Sequence, residues 1–133
     1  MPSSLLNTCI WSLMAVAACI AGIGPAQAQP IAPAVVYDAG GKFDKSFNEA
    51  AYNGIERFKK ESGIAYTEFE IANDTQREQA LRRMAQKGSN PVIAVGFGHG
   101  SALAKVAQEF PNVKFAIIDM VVEQPNVQSV VFK

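Results

Sequence analysis

Apolar and polar positions divide the chain into segments of two kinds. Ala34-Val35-Val36-Tyr37, Pro91 to Val95 and Lys114 to Asp119 are short, almost unbroken apolar runs of strand length. Tyr66 to Ile71 alternates, and Val127 to Phe132 forms a fifth such run. Between them the apolar spacing lengthens to that of a helix. Phe47, Ala51, Ile55 and Phe58 share one face of Ser46 to Ser62, closed by Gly63. Ala80, Leu81 and Met84 mark a second helix that opens near Thr75 and stops at Gly88. Leu103, Val106, Ala107 and Phe110 mark a third, over Ser101 to Phe110. Ser46-x-x-Glu49 and Thr75-x-x-Glu78 read as capping boxes for the first two. The prolines of Gln29-Pro30-Ile31-Ala32-Pro33 exclude helix ahead of the first strand.

The predicted order is strand-helix-strand-helix-strand-helix-strand-strand. Apolar strands alternating with helices predict an α/β fold, a parallel doubly wound sheet covered on both faces. In such sheets ligands sit beyond the carboxyl ends of the strands. The loops to watch are therefore Asp38 to Lys45, Ala72 to Asp74, Gly96 to Gly100 and the segment after Asp119. No internal repeat and no low-complexity segment interrupts this body.

Charge changes the picture at the amino end. The chain has 133 residues with 12 Lys+Arg against 12 Asp+Glu, and the first charged side chain is Asp38. Net neutrality speaks against a nucleic-acid or anionic-membrane binder, which carries a basic excess. Cys9 to Ile23 is an uninterrupted apolar run, shorter than the ~20 residues of a spanning helix and fitting a signal-peptide core. Gly22, Gly24 and Pro25 break it, and Ala26-Gln27-Ala28 is a small-residue cleavage site. Residues 1–28 are thus expected to be a signal peptide and 29–133 one exported, periplasmic domain. Val16-Ala17-Ala18-Cys19 offers an alternative, a lipobox with lipidation at Cys19. Cleavage after Ala28 removes both cysteines and the only Trp, so the domain relies on apolar burial rather than disulfides. Val127 to Lys133 stops at the edge of an apolar strand, which reads as a fragment of a longer protein.

Three constellations could carry chemistry. Asp38-Ala39-Gly40-Gly41-Lys42-Phe43-Asp44-Lys45-Ser46-Phe47-Asn48 joins the first strand to the first helix. Phe47 beside Asn48 suits a planar heterocycle, an aromatic face with an amide to read its edge. The same residues also read as core (Phe47), cap (Ser46) and solvated amide (Asn48). Gly96-Phe97-Gly98-His99-Gly100-Ser101 looks like a nucleotide loop, but Ser101 stands where the fingerprint needs a glycine or alanine, and no Walker lysine follows. His99 reads as a loop residue. Asp119 ends an apolar strand and is either a cleft acceptor or the cap of the next turn. With one His and no retained Cys, enzyme signals are thin, and no cluster of metal ligands is present. No cofactor and no metal are implied. Lys59-Lys60 and Arg82-Arg83 read as solvated.

On Val36-Tyr37-Asp38-Ala39-Gly40-Gly41, Phe43-Asp44-Lys45-Ser46-Phe47-Asn48, Ala51-Tyr52-Asn53-Gly54, Val95-Gly96-Phe97 and Phe110-Pro111-Asn112-Val113-Lys114-Phe115-Ala116-Ile117-Ile118-Asp119, the chain resembles the basic membrane protein (BMP) family. These are substrate-binding proteins of ABC importers and include purine nucleoside-binding lipoproteins. The resemblance implies a lobe of the type I periplasmic-binding fold, in which two α/β lobes close on the ligand. It implies that Phe47 stacks on the base, that Asn48 and Asp119 bond its edge, and that Asp38, Gly96 and Phe97 line the cleft. Only the amino-terminal lobe is covered. The function implied is a monomeric, non-catalytic carrier that delivers a nucleoside to a membrane permease. Two other classes stay open: a secreted nucleoside hydrolase using Asp38 and Asp44, and a sensor lobe that binds a partner protein.

Overall fold

The computed structural model describes residues 30–133. The expected signal peptide, with its cleavage after Ala28 or lipidation at Cys19, lies outside the described residues. Strand β1 is Ala34–Tyr37, helix α1 Phe47–Ser62, β2 Thr67–Glu70, α2 Arg77–Gln86 and β3 Val92–Val95. Helix α3 is Gly100–Glu109, β4 Phe115–Ile118 and β5 Val127–Val130. Single 3-10 turns, Asp74–Gln76 and Phe97–His99, lead into α2 and α3. Every predicted element is present: β1 keeps its expected bounds, α3 starts one residue earlier, and the other ends differ by no more than two residues.

The five strands form one parallel sheet in the order β2-β1-β3-β4-β5. The chain runs outward from β1 to β2, then returns across β1 to build β3, β4 and β5 on the other side. The topological switch point therefore falls between β1 and β3, where open α/β sheets bind ligands. Alternation along the strands assigns the two faces. Val35, Tyr37 and Val95 pack with Ile55 and the partly buried Phe47, Ala51 and Phe58 of α1. Ala34, Val36, Val92, Ala94, Phe115 and Ile117 pack with Leu81, Met84, Leu103 and Val106 of α2 and α3. Leu81 and Leu103 are fully buried, each worth roughly 1.5–3 kcal/mol relative to exposure.

Helix starts differ from the capping boxes. Ser46 makes no side-chain cap to α1. Asp44 does this instead, its carboxylate accepting the N–H groups of Ser46 at 2.8 Å, Asn48 at 3.2 Å and Glu49 at 3.2 Å. Burial alone would push the Asp44 carboxyl up; the three backbone donors outweigh it and hold it below the usual range. At the second start, Asn73 rather than Thr75 caps, accepting the Thr75 N–H at 3.1 Å. A carboxylate or amide upstream reaches orphan N–H groups as well as a serine or threonine does, and the turn geometry selects between them. Gly63 closes α1 as predicted, in the left-handed conformation with its N–H on the Lys59 carbonyl.

Arg82 is not solvated. It bridges Glu78 on its own helix and Glu109 on α3, each at 2.7 Å, and orients α2 against α3. Asn126 performs a similar task from within the core. Its amide points at the carbonyls of Ala107, Phe110 and Val113, each at 3.0 Å, tying the end of α3 to the start of β4.

Candidate functional site

Because all five strands are parallel, the loops singled out from sequence share one edge. Asp38 follows β1, Gly96 and Phe97 follow β3, and Asp119 follows β4. Phe47 and Asn48 open α1 where the first loop ends.

Asn48 is a buried strut. It is 2% exposed. Its Nδ2 donates to the carbonyls of Asp38 and Gly41, both at 3.1 Å, and its Oδ1 accepts the Asp38 N–H at 3.1 Å. Both donors are used inside the chain, which leaves one acceptor lone pair. The solvated reading of Asn48 is therefore wrong: the amide folds the first loop back onto the end of β1. Phe47 is half-buried. It packs on the α1-side core and meets Phe132 edge-to-face at 6.1 Å between centroids. Core membership and a partly open ring coexist at this residue.

Asp38 stands at the switch point and is held from three sides. Its Oδ1 accepts the Ala39 N–H at 2.7 Å and lies 2.6 Å from Arg77 Nη1. Its Oδ2 rests against Gly96, where a Cβ would come within 2.7 Å. Gly96 has φ 103°, a conformation that a side chain resists. Arg77 is the residue that sequence reading missed. Beside the local Asp74, three residues earlier at 2.6 Å, the fold brings it Asp38 after β1 and Gly98 in the turn after β3, where a Cβ would come within 2.8 Å of the guanidinium.

His99 is not a solvent-facing loop residue. It is fully buried, and among the described residues neither ring nitrogen has a well-formed hydrogen bond, the nearest backbone partner being that of Tyr37. Burial first, and the Arg77 guanidinium second, lower its pKa to about 4, against the opposing pull of Asp38 and Asp74. The ring is neutral at physiological pH and serves as interior packing beside Arg77.

Asp119 is exposed and left-handed, φ 71°. This backbone region is sparsely used by non-glycine residues and tends to mark functional positions. Its N–H bonds the Val130 carbonyl at 2.7 Å. Its carboxylate has no hydrogen-bond partner among the described residues, so it is not the cap of the following turn. Asp44, by contrast, is committed to capping α1 and Asp38 to Arg77.

The same edge carries apolar surface. Phe43, Phe97, Met120, Val121, Val131 and Phe132 are all large, apolar and exposed, Phe97 by 68%. All six follow carboxyl ends of strands. Several large exposed apolar residues at one sheet edge suit a place that another surface or a ligand covers. A shallow groove on α1 lined by Glu56, Arg57, Lys59 and Lys60 lies away from this edge, and its walls are charged side chains.

Comparison with known proteins bears on what the edge does. The Bmp family model, described as ABC transporter substrate-binding protein PnrA-like, matches residues 31–133. An uncharacterized lipoprotein of Pyrococcus furiosus is 39% identical over 108 residues, which are 78% of this chain and 26% of that protein. The ABC transporter nucleoside-binding protein BmpA of Lactococcus lactis is 32% identical over 104 residues, 74% of this chain and 30% of that one. An ABC transporter solute-binding protein of Aeropyrum pernix superposes with a TM-score of 0.72 at 32% identity, over 77% of this chain and 29% of that structure. The chain thus spans from about a quarter to less than a third of the length of these relatives.

Proposed function

The chain belongs to the Bmp family of PnrA-like ABC transporter substrate-binding proteins, and from that premise we propose that its carboxyl edge is one wall of a nucleoside site. The protein is an exported carrier that hands its ligand to an ABC permease. The observation that carries this reading is the pairing at one sheet edge of exposed apolar surface with an unpartnered carboxylate. Phe97 and the open part of Phe47 offer π faces, and Asp119 offers a carboxylate with no hydrogen-bond partner among the described residues.

Each residue then has a role. The base stacks on Phe47, and a base N–H or the ribose hydroxyls donate to Asp119 and to the free Oδ2 of Asp38. Asn48 holds the loop that presents Phe47. Gly96 gives Asp38 room, and Phe97 walls the cleft. A neutral nucleoside needs no basic funnel, which matches the equal numbers of acidic and basic residues. Relatives named as nucleoside-binding and solute-binding proteins support the class of ligand. Delivery follows when a second wall closes over the ligand and the closed form docks on the permease. Titration calorimetry with adenosine, guanosine and inosine tests the reading; heat from a free sugar or an amino acid but from no nucleoside would overturn it.

A further inference from the structure

We propose that Arg77 is a positioning residue that, together with Gly96, fixes the Asp38 carboxylate so that Oδ2 alone is offered to the ligand. The inference rests on the nucleoside reading of the edge and adds a residue to it.

The two oxygens of Asp38 have different surroundings. Oδ1 takes the Ala39 N–H at 2.7 Å and the Arg77 guanidinium at 2.6 Å. The Arg77 approach has ion-pair distance without hydrogen-bond angles, so Nη1 is held by charge. Oδ2 has no hydrogen-bond partner among the described residues and lies against the bare α-carbon of Gly96. A half-turn of the carboxylate only exchanges two equivalent oxygens and restores the same contacts, so what Arg77 fixes is the carboxylate plane and the χ1 rotamer, with one oxygen on the guanidinium and the other left over. Swinging the side chain about χ1 would leave the guanidinium, only 12% exposed, facing Asp74 alone.

Arg77 is itself held in place. Asp74 takes Nη2 at 2.6 Å, and the Gly98 turn closes over the guanidinium with no space for a side chain. One cation thereby joins the loops after β1, β2 and β3. A planar fork serves two carboxylates at once in a way that a lysine ammonium on its flexible stem does not.

The test combines a readout on Asp38 with one on ligand. Three-bond couplings report the Asp38 χ1 rotamer by NMR, and the Ala39 amide shift reports its bond to Oδ1. In the unaltered protein the couplings give one rotamer. In Arg77→Gln they average, the Ala39 amide moves, and nucleoside Kd rises by about 2- to 10-fold, the cost of ordering a freed side chain on binding. Arg77→Lys shifts the same readouts by less, and it decides the matter alone if the glutamine variant does not fold. Couplings and Ala39 shift unchanged in the variants would overturn the proposal. Absence of nucleoside binding by the unaltered protein would overturn the nucleoside reading, with the Asp38 couplings still deciding the role of Arg77.

Discussion

The α-carbon of Gly96 lies so close to Asp38 that a β-carbon there would stand 2.7 Å from Oδ2. The two residues end neighbouring strands on either side of the switch point, so this contact sets the width of the cleft floor. Gly96 also holds φ 103°. Gly96→Ala therefore meets backbone strain and a displaced carboxylate together. It should lower stability by about 1–3 kcal/mol, the usual cost of a side chain in such a conformation, and weaken ligand binding beyond that of a control substitution of equal instability. Urea denaturation and calorimetry on the same preparations measure the two effects.

Asn48 should behave as a structural amide. Its three bonds to Asp38 and Gly41 are buried, and removal strands two carbonyls and an N–H. Asn48→Ala is expected to cost about 1–3 kcal/mol. Amide exchange should quicken across residues 38–45 and stay slow in β4. Uniform exchange across the chain would contradict this role.

His99 makes stability depend on pH. Its pKa in the fold is about 4, against an ordinary value of about 6.5. Between those values the unfolded chain takes a proton that the folded chain refuses, so stability rises with pH across that window and levels off above it. The loss on acidification is at most about 3 kcal/mol, since each pKa unit is worth about 1.4. Asp44, Glu56 and Glu78, held below the usual carboxyl range, add a slope of the same sign only at lower pH, roughly below 4.5. As the chain has a single His, His99→Gln should flatten the dependence from pH 4.5 to 6.5 in urea-midpoint measurements. An unchanged slope in the variant would count against a buried neutral ring.

The fold was legible because burial writes itself into periodicity. Four-residue apolar stretches such as Val92–Val95 and the stripe Leu103, Val106, Ala107 read directly as buried elements of a parallel sheet. The edge of the sheet followed from that alone, which is why Asp38, Gly96 and Asp119 could be named in advance. Caps were less legible. Asp44 and Asn73 displace Ser46 and Thr75 because several nearby oxygens compete for the same N–H groups, and only the turn decides. Arg77 and Arg82 were illegible for a different reason. Their partners Asp38 and Glu109 are distant in sequence, and nothing local distinguishes such an arginine from a solvated one.

The most direct test of the nucleoside site is the affinity of the protein for adenosine, guanosine and inosine, compared with that of Phe47→Ala. Phe47 is half-buried at the cleft edge, so the variant should keep its fold by circular dichroism. Loss of a base–aromatic stack is worth about 1–3 kcal/mol, so the dissociation constant should rise by about 5- to 150-fold. A variant that binds nucleosides as tightly as the unaltered protein, or an unaltered protein that binds none, would contradict the account.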